Sequence, residues 1–263
     1  RTMTTAATAT LTERGPVPAP PLTSVGGGAR VRGMARCPMF RSTRHRWGTR
    51  AAAAATLVVA AGIMAAFPAE APLPEGWRTP IIAFELARSP ADIAWLQGPD
   101  AAGLRDAMRA GHRVDTVFPF AYGLLLAASC RAASGRWAAL AVGLALAAVG
   151  LDLGENATLA GITEALEAGG DGAAGLRWLV PLTWSKWGAI GGALLSLCLA
   201  QWREEPRVAL VLAPLALSVP VAGFTGAPAA GETMALAVSL AFGLLAARSI
   251  WLGVRPLSTA PPP

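Results

Sequence analysis

Apolar residues fall along the chain in six long runs separated by shorter polar stretches. The runs are Ala51 to Phe67, Val114 to Ala132, Trp137 to Ile162, Leu176 to Trp202, Val208 to Phe224 and Gly231 to Val254. Each reaches or approaches the ~20 residues that an α-helix needs to cross the hydrocarbon core of a bilayer. The pattern predicts an all-α, polytopic membrane bundle of six transmembrane helices, with Pro214 and Pro220 kinking the fifth. The first run, 51–67, is at the lower limit of length for a span, and Ala69-Glu70-Ala71 beyond it has the form of a cleavage site. Two readings therefore stand: a retained first helix, or a cleaved signal peptide that leaves five spans. The run exceeds the ~7–15 residues of a signal core, which favours retention.

The longest polar connection, 68–113, carries helix starts of its own. Thr79-Pro80 and Ser89-Pro90 each put a capping residue before a proline at the first helical position, and Asp92 follows Ser89 by three, as in an acidic capping box. Ile81, Phe84, Ile93, Trp95 and Leu96 would give these helices one apolar side. A third short helix is expected over Asp100–Ala110, ending at Gly111. Short extracytoplasmic surface helices between spans 1 and 2 follow from this, resting on the membrane face or forming a lid over a pocket. A five-helix membrane bundle over 114–254 and a Pro-rich cytoplasmic tail over 255–263 complete the organisation.

Composition agrees with lipid as part of the solvent. The chain is 54% hydrophobic and only 14% charged, against about 25% charged residues in ordinary soluble domains. The net charge of +6 belongs to one end, because residues 1–50 hold nine Arg against the single Glu13. That stretch reads as a disordered basic cytoplasmic tail, with Met34 and Met39 as alternative starts, and it lacks the aromatic interleaving of a nucleic-acid module. Further arginines at 131, 136, 203, 207, 248 and 255 fall in alternate loops. The positive-inside rule then puts both termini in the cytoplasm of a multi-pass protein of the cell membrane.

Ionisable residues inside the runs collect in one place. Asp115, Phe118, Pro119 and Tyr122 share a helix face at the start of the second span, Asp152, Glu155 and Asn156 share one at the end of the third, and Lys186 stands between Trp184 and Trp187 in the fourth. At 1.5 Å per residue, Asp115, Glu155 and Asn156 lie within roughly 5 Å of the outer boundary, with Asp152, Tyr122 and Lys186 about 8–13 Å below it. Lys186 is the only lysine of the chain. An ammonium at that depth costs up to ~2.5–3.5 kcal/mol and demands a partner, for which Asp152 or Glu155 is the expected choice.

Three function classes remain. The leading expectation is a membrane protein that binds or processes a small polar or lipid headgroup ligand in an outward-facing pocket lined by Asp115, Tyr122, Asp152, Glu155, Asn156, Lys186 and Trp184. The second is a non-catalytic scaffold or assembly partner whose lysine and carboxylates are a structural cluster. The third is a small-solute or proton-coupled transporter, against which no carboxylate continues a path into the inner half of any span. No metal and no other cofactor is expected. Lys186 competes for the carboxylate oxygens, His45 and His112 flank the spans, and Cys37, Cys130 and Cys198 form no metal or redox motif. Beyond membrane lipid, no partner is implied, and neither a reaction nor an oligomeric state is.

Overall fold

The computed structural model describes residues 43–130 and 135–254, whose regular structure is all helical, with no strand among them. The greater part of the basic tail, Arg131, Arg255 and the 255–263 tail lie outside the described residues. Eight helices follow in order: α1 Thr43–Ala66, α2 Pro80–Glu85, α3 Ala102–Asp115, α4 Phe118–Cys130, α5 Arg136–Glu167, α6 Ala173–Gln201, α7 Pro206–Thr225 and α8 Pro228–Val254. Two short 3-10 helices, Pro90–Leu96 and Pro99–Ala101, link α2 to α3.

Four of these helices, α1, α5, α7 and α8, are long and apolar enough to cross a membrane, which makes this a membrane protein by the length and composition of its helices. Their outward faces agree. Val58, Leu146, Leu210 and Leu236 are exposed, and Phe224 is 93% exposed, a distribution that water would penalise and lipid would not. Lys186, Trp184 and Gln201 lower the apolar character of α6, and α4 has only 13 residues. The six long runs of the sequence nonetheless match α1 and α4 to α8 one to one.

These six helices close into a ring. α1 packs on α4, α4 on α5, α5 on α6, α6 on α7, α7 on α8, and α8 returns to α1. Small residues make the close approaches, as on α5, where Ala138, Ala141, Ala145 and Ala148 form a buried stripe at helical spacing. The Thr56 hydroxyl ties α1 to α4 by donating to the Ala121 carbonyl at 3.0 Å, while also lying 2.8 Å from that of Ala52. Pro214 and Pro220 both lie inside α7, which continues through them.

The segment between α1 and α4 folds back over one end of the ring as a cap. α2 touches α5, α6 and α8, and α3 touches α1 and α5. Phe84, Ile93, Leu96 and Met108 of the cap join Leu159, Ile162 and Leu166 of α5 and Leu176 and Leu179 of α6 in a second buried cluster, separate from the main core of the ring. Burial of the cap's apolar residues at about 25 cal/mol per Å² holds it there.

Two local expectations are corrected. α3 runs through Gly111 to Asp115, because that glycine serves a contact instead of ending the helix. A Cβ on Gly111 would come within 2.4 Å of the Phe67 ring, so the lack of a side chain lets α3 lie against Phe67. The second span does not begin at Val114. Thr116 and Val117 form a turn, and α4 starts at Phe118 with Pro119 in its first turn, where the missing proline N–H costs no helical bond. Asp115 therefore ends α3 and does not share one continuous helix with Tyr122.

Both expected helix starts in the cap are present, with different bonding. Asp92 Oδ2 accepts from the Arg88 and Ser89 backbone N–H groups at 2.9 Å and stands 3.0 Å from Ser89 Oγ. Thr79 precedes α2, but its hydroxyl turns away and donates to Glu232 of α8 at 2.6 Å. Glu232 also accepts from the backbone N–H of Arg78 at 2.9 Å and of Thr79 at 2.8 Å. One carboxylate on α8 thus holds the backbone that leads into α2.

Candidate functional site: a buried ion cluster between two apolar cores

Along α5 the buried residues change character twice. Ala148 belongs to the core of the ring, Asp152, Glu155 and Asn156 form a polar layer, and Leu159 onward belongs to the core beneath the cap. α6 repeats the order antiparallel, with Leu176 and Leu179 in the cap core, then Thr183 and Lys186, then Trp187, Ala189 and Ile190 in the ring core. The polar layer is therefore sandwiched between two apolar clusters, where charge without a partner would be costly.

Lys186 is partnered twice. Its ammonium donates to Glu155 and, at 2.9 Å, to Glu85 Oε2 of the cap. Glu155 is fully buried, Lys186 is 3% exposed and Glu85 5%. The Lys186 ammonium also lies 4.8 Å from the centre of the Trp187 ring, a cation–π contact. Thr183 Oγ1 reaches both the Glu85 carbonyl at 3.0 Å and the Glu155 carboxylate, and its single proton serves one acceptor at a time. Glu85 stands outside the spanning helices, and its pKa is raised from the usual carboxylate value, by burial first and by the Asp152 charge, with Lys186 opposing.

Asp152 is not the lysine's hydrogen-bond partner. It accepts from the Tyr122 hydroxyl at 3.0 Å, and Tyr122 in turn stacks on Phe242 of α8 at 5.2 Å. Asn156 stands beside Asp115 with neither its amide nitrogen nor its oxygen in a complete hydrogen bond. Trp187 Nε1, next to Glu85, and both ring nitrogens of His112 are likewise buried without one. His112 lies edge-on to Phe67 at 5.3 Å and near Phe84 at 5.9 Å. Burial, aided by the Lys186 charge, pushes its pKa down to about 4, so the ring is neutral at pH 7.

Six of the seven residues singled out in the sequence are thus placed in three pairs. Lys186 and Glu155 meet directly, Tyr122 pairs with Asp152, and Asn156 neighbours Asp115. Trp184 lies elsewhere, with its ring against Gly223 of α7. It borders a cleft of about 210 Å³ between the cap and the α7–α8 turn, which Trp77, Arg88 and Asp92 also line. Sequence reasoning missed Glu85 and Thr183. The signal for Glu85 was an acid closing the apolar stretch Ile81-Ile82-Ala83-Phe84, three residues after Ile82 and hence on its helix face.

Among the described residues, no group of three His, Cys, Asp or Glu side chains could hold a metal ion. Lys186 fills the space between two of the carboxylates and supplies their counter-charge. Compared with protein-family models, with curated proteins and with solved structures, the chain matches none.

Proposed function

We propose that the chain is a six-span protein of the cell membrane, with both termini cytoplasmic, in which the Lys186 cluster is a structural lock that fastens the extracytoplasmic cap to the bundle. The observation that carries this reading is the double pairing of Lys186 with Glu155 of α5 and Glu85 of the cap, all three side chains being buried. Such a protein is a non-catalytic membrane scaffold, and the cap is its outward surface.

Several features support the membrane placement. Trp47, Trp137, Trp202 and Trp251 are exposed near the ends of α1, α5, α6 and α8 that the arginine pattern assigns to the cytoplasm, as in an interfacial belt. Counting ~30 Å of hydrocarbon from Trp137 takes about 20 residues of α5 and reaches the level of Asn156. The ion cluster then lies at the outer boundary, shallower than a count from the loop ends suggests. The last turns of α5 and the first of α6 rise above the membrane inside the cap. The packing of α1 on α4 and α8 supports a retained first helix.

Hydrogen exchange tests the lock. In Lys186→Met, amides of residues 80–96 should exchange faster while those of α7 stay protected. Unchanged protection of the cap would remove the lock.

A second reading keeps the polar layer as a binding site for a small polar or lipid headgroup ligand. Its specific support is the set of buried groups that lack a complete hydrogen bond, Asn156, Trp187 Nε1 and the His112 ring, which a bound molecule could satisfy. Under that reading the Lys186 variant keeps its cap protection and loses ligand.

A further inference from the structure

Besides the cleft between the cap and the α7–α8 turn, Trp184 borders a second depression. This is a groove of about 340 Å³ between α6 and α7, walled by Gly188, Gly192, Leu195, Leu217 and Pro220. The two differ in chemistry. The cleft offers the guanidinium of Arg88, the rings of Trp77 and Trp184, and Asp92, whose Oδ2 is already occupied by the backbone of residues 88 and 89. The groove is apolar and lined by small side chains. From Trp184 to Leu195 it follows α6 for 11 residues, about 16 Å, which matches the ~15 Å of one leaflet's hydrocarbon.

Arg88 is the charged group without a counter-ion at this place. Its guanidinium lies against Gly226, the left-handed residue that ends α7 with φ +61°. Among the described residues it makes no ion pair, in contrast to Arg109 and Arg248. An arginine lining one cleft with two tryptophans presents a planar fork of donors that matches phosphate oxygens, and the tryptophan rings suit the headgroup level of a membrane.

We propose that this cleft and groove together form a binding site for one phospholipid with an anionic headgroup, its phosphate on Arg88 and an acyl chain in the α6–α7 groove. The charge of Arg88 selects the headgroup, and the length and apolar walls of the groove select a membrane lipid over a soluble phosphate. The site rests on the membrane placement of α6 and α7 and not on the lock at Lys186.

Native mass spectrometry of the purified full chain in detergent tests it, with phosphatidylglycerol, phosphatidylcholine of the same acyl chains, and glycerol 3-phosphate as probes. The wild type should bind phosphatidylglycerol about tenfold more tightly than phosphatidylcholine, because both offer the phosphate but only phosphatidylcholine brings a choline cation that Arg88 repels. Arg88→Gln should abolish that preference and Arg88→Lys should keep part of it. Gly188→Leu should weaken both lipids, because position 188 faces open space and the added side chain fills the groove. Arg88 is exposed, so its variants retain the fold, which the elution profile checks. Equal binding of the two lipids by the wild type would overturn the proposal, as would an unaffected Arg88→Gln or Gly188→Leu. Glycerol 3-phosphate bound as tightly as phosphatidylglycerol would equally do so, by showing an anion site without a lipid. A wrong membrane placement would appear separately, in surface labelling of α6 and α7 from the aqueous phase.

Discussion

Lys186 Nζ lies 2.9 Å from Glu85 Oε2, across 101 residues of chain, and this bond joins the cap to the bundle. With Glu155 on its other side, the ammonium links α6, α5 and α2 at one point. Breaking a buried pair by removing one partner costs about 3–5 kcal/mol, whereas exchanging all charged members for neutral groups of similar volume can be nearly harmless. Lys186→Met alone should therefore lower the thermal midpoint strongly, since it leaves two carboxylates facing each other. The triple variant with Glu85→Gln and Glu155→Gln should recover most of the loss. Tryptophan fluorescence during heating in detergent reads both, and a triple variant no more stable than the single one refutes the lock.

The neutral His112 ring makes stability depend on pH. In the folded protein it binds a proton only near pH 4, while an unfolded histidine does so near 6.5. The unfolded state thus holds more protons between these values, so the contribution is complete above pH 6.5 and is lost as pH falls toward 4. At pH 5 the loss amounts to about 2 kcal/mol. Lys186 is the charged group that acts on it, so the comparison must isolate the ring. His112→Leu should gain on the wild type as pH is lowered from 7.5 to 5, measured as the difference of thermal midpoints. A difference independent of pH would contradict the assignment.

Gly111 should tolerate no side chain while Phe67 is present. Gly111→Ala places a Cβ where the Phe67 ring already stands, and such overpacking costs about 1–3 kcal/mol. Gly143 and Gly243 face open space, and alanine there should be neutral or stabilising by about 0.5–1 kcal/mol through helix propensity. Denaturation midpoints of the three alanine variants should separate accordingly. Adding Phe67→Leu should rescue only Gly111→Ala.

Glu232 should act on a helix other than its own. Glu232→Ala removes the acceptor for two backbone N–H groups and the Thr79 hydroxyl, each charge-assisted bond being worth about 1.5–3 kcal/mol where it is shielded from water. Faster hydrogen exchange at residues 78–83, with α8 unchanged, is the expected result. Equal acceleration along α8 would show that Glu232 supports its own helix instead.

Cysteine labelling tests the topology in a background with Cys37, Cys130 and Cys198 replaced by serine. Asp171→Cys should react with an impermeant reagent from outside the cell, and Glu204→Cys only after permeabilisation. The opposite pattern would invert the bundle and place the cap in the cytoplasm.

The helices themselves are legible in the sequence because they depend on local features. Runs of apolar residues about 20 long, proline after Thr79 and Ser89, and Asp92 three after Ser89 act within one or two turns, and each is found in the structure. The face shared by Asp152, Glu155 and Asn156 is also local, a consequence of helical spacing. What the spacing leaves open is which partner each group meets. Glu85 reaches Lys186, and Asp152 is left to Tyr122, only because the cap folds into the end of the ring and brings a second apolar cluster down on the polar layer. That return depends on Phe84, Ile93 and Met108 meeting Leu159, Ile162 and Leu179 across more than fifty residues of chain, a matter of packing that no periodicity records. Gly111 shows the same limit on a smaller scale. Its sequence position suits a helix end, and only the approach of Phe67 makes it a contact in the middle of a helix.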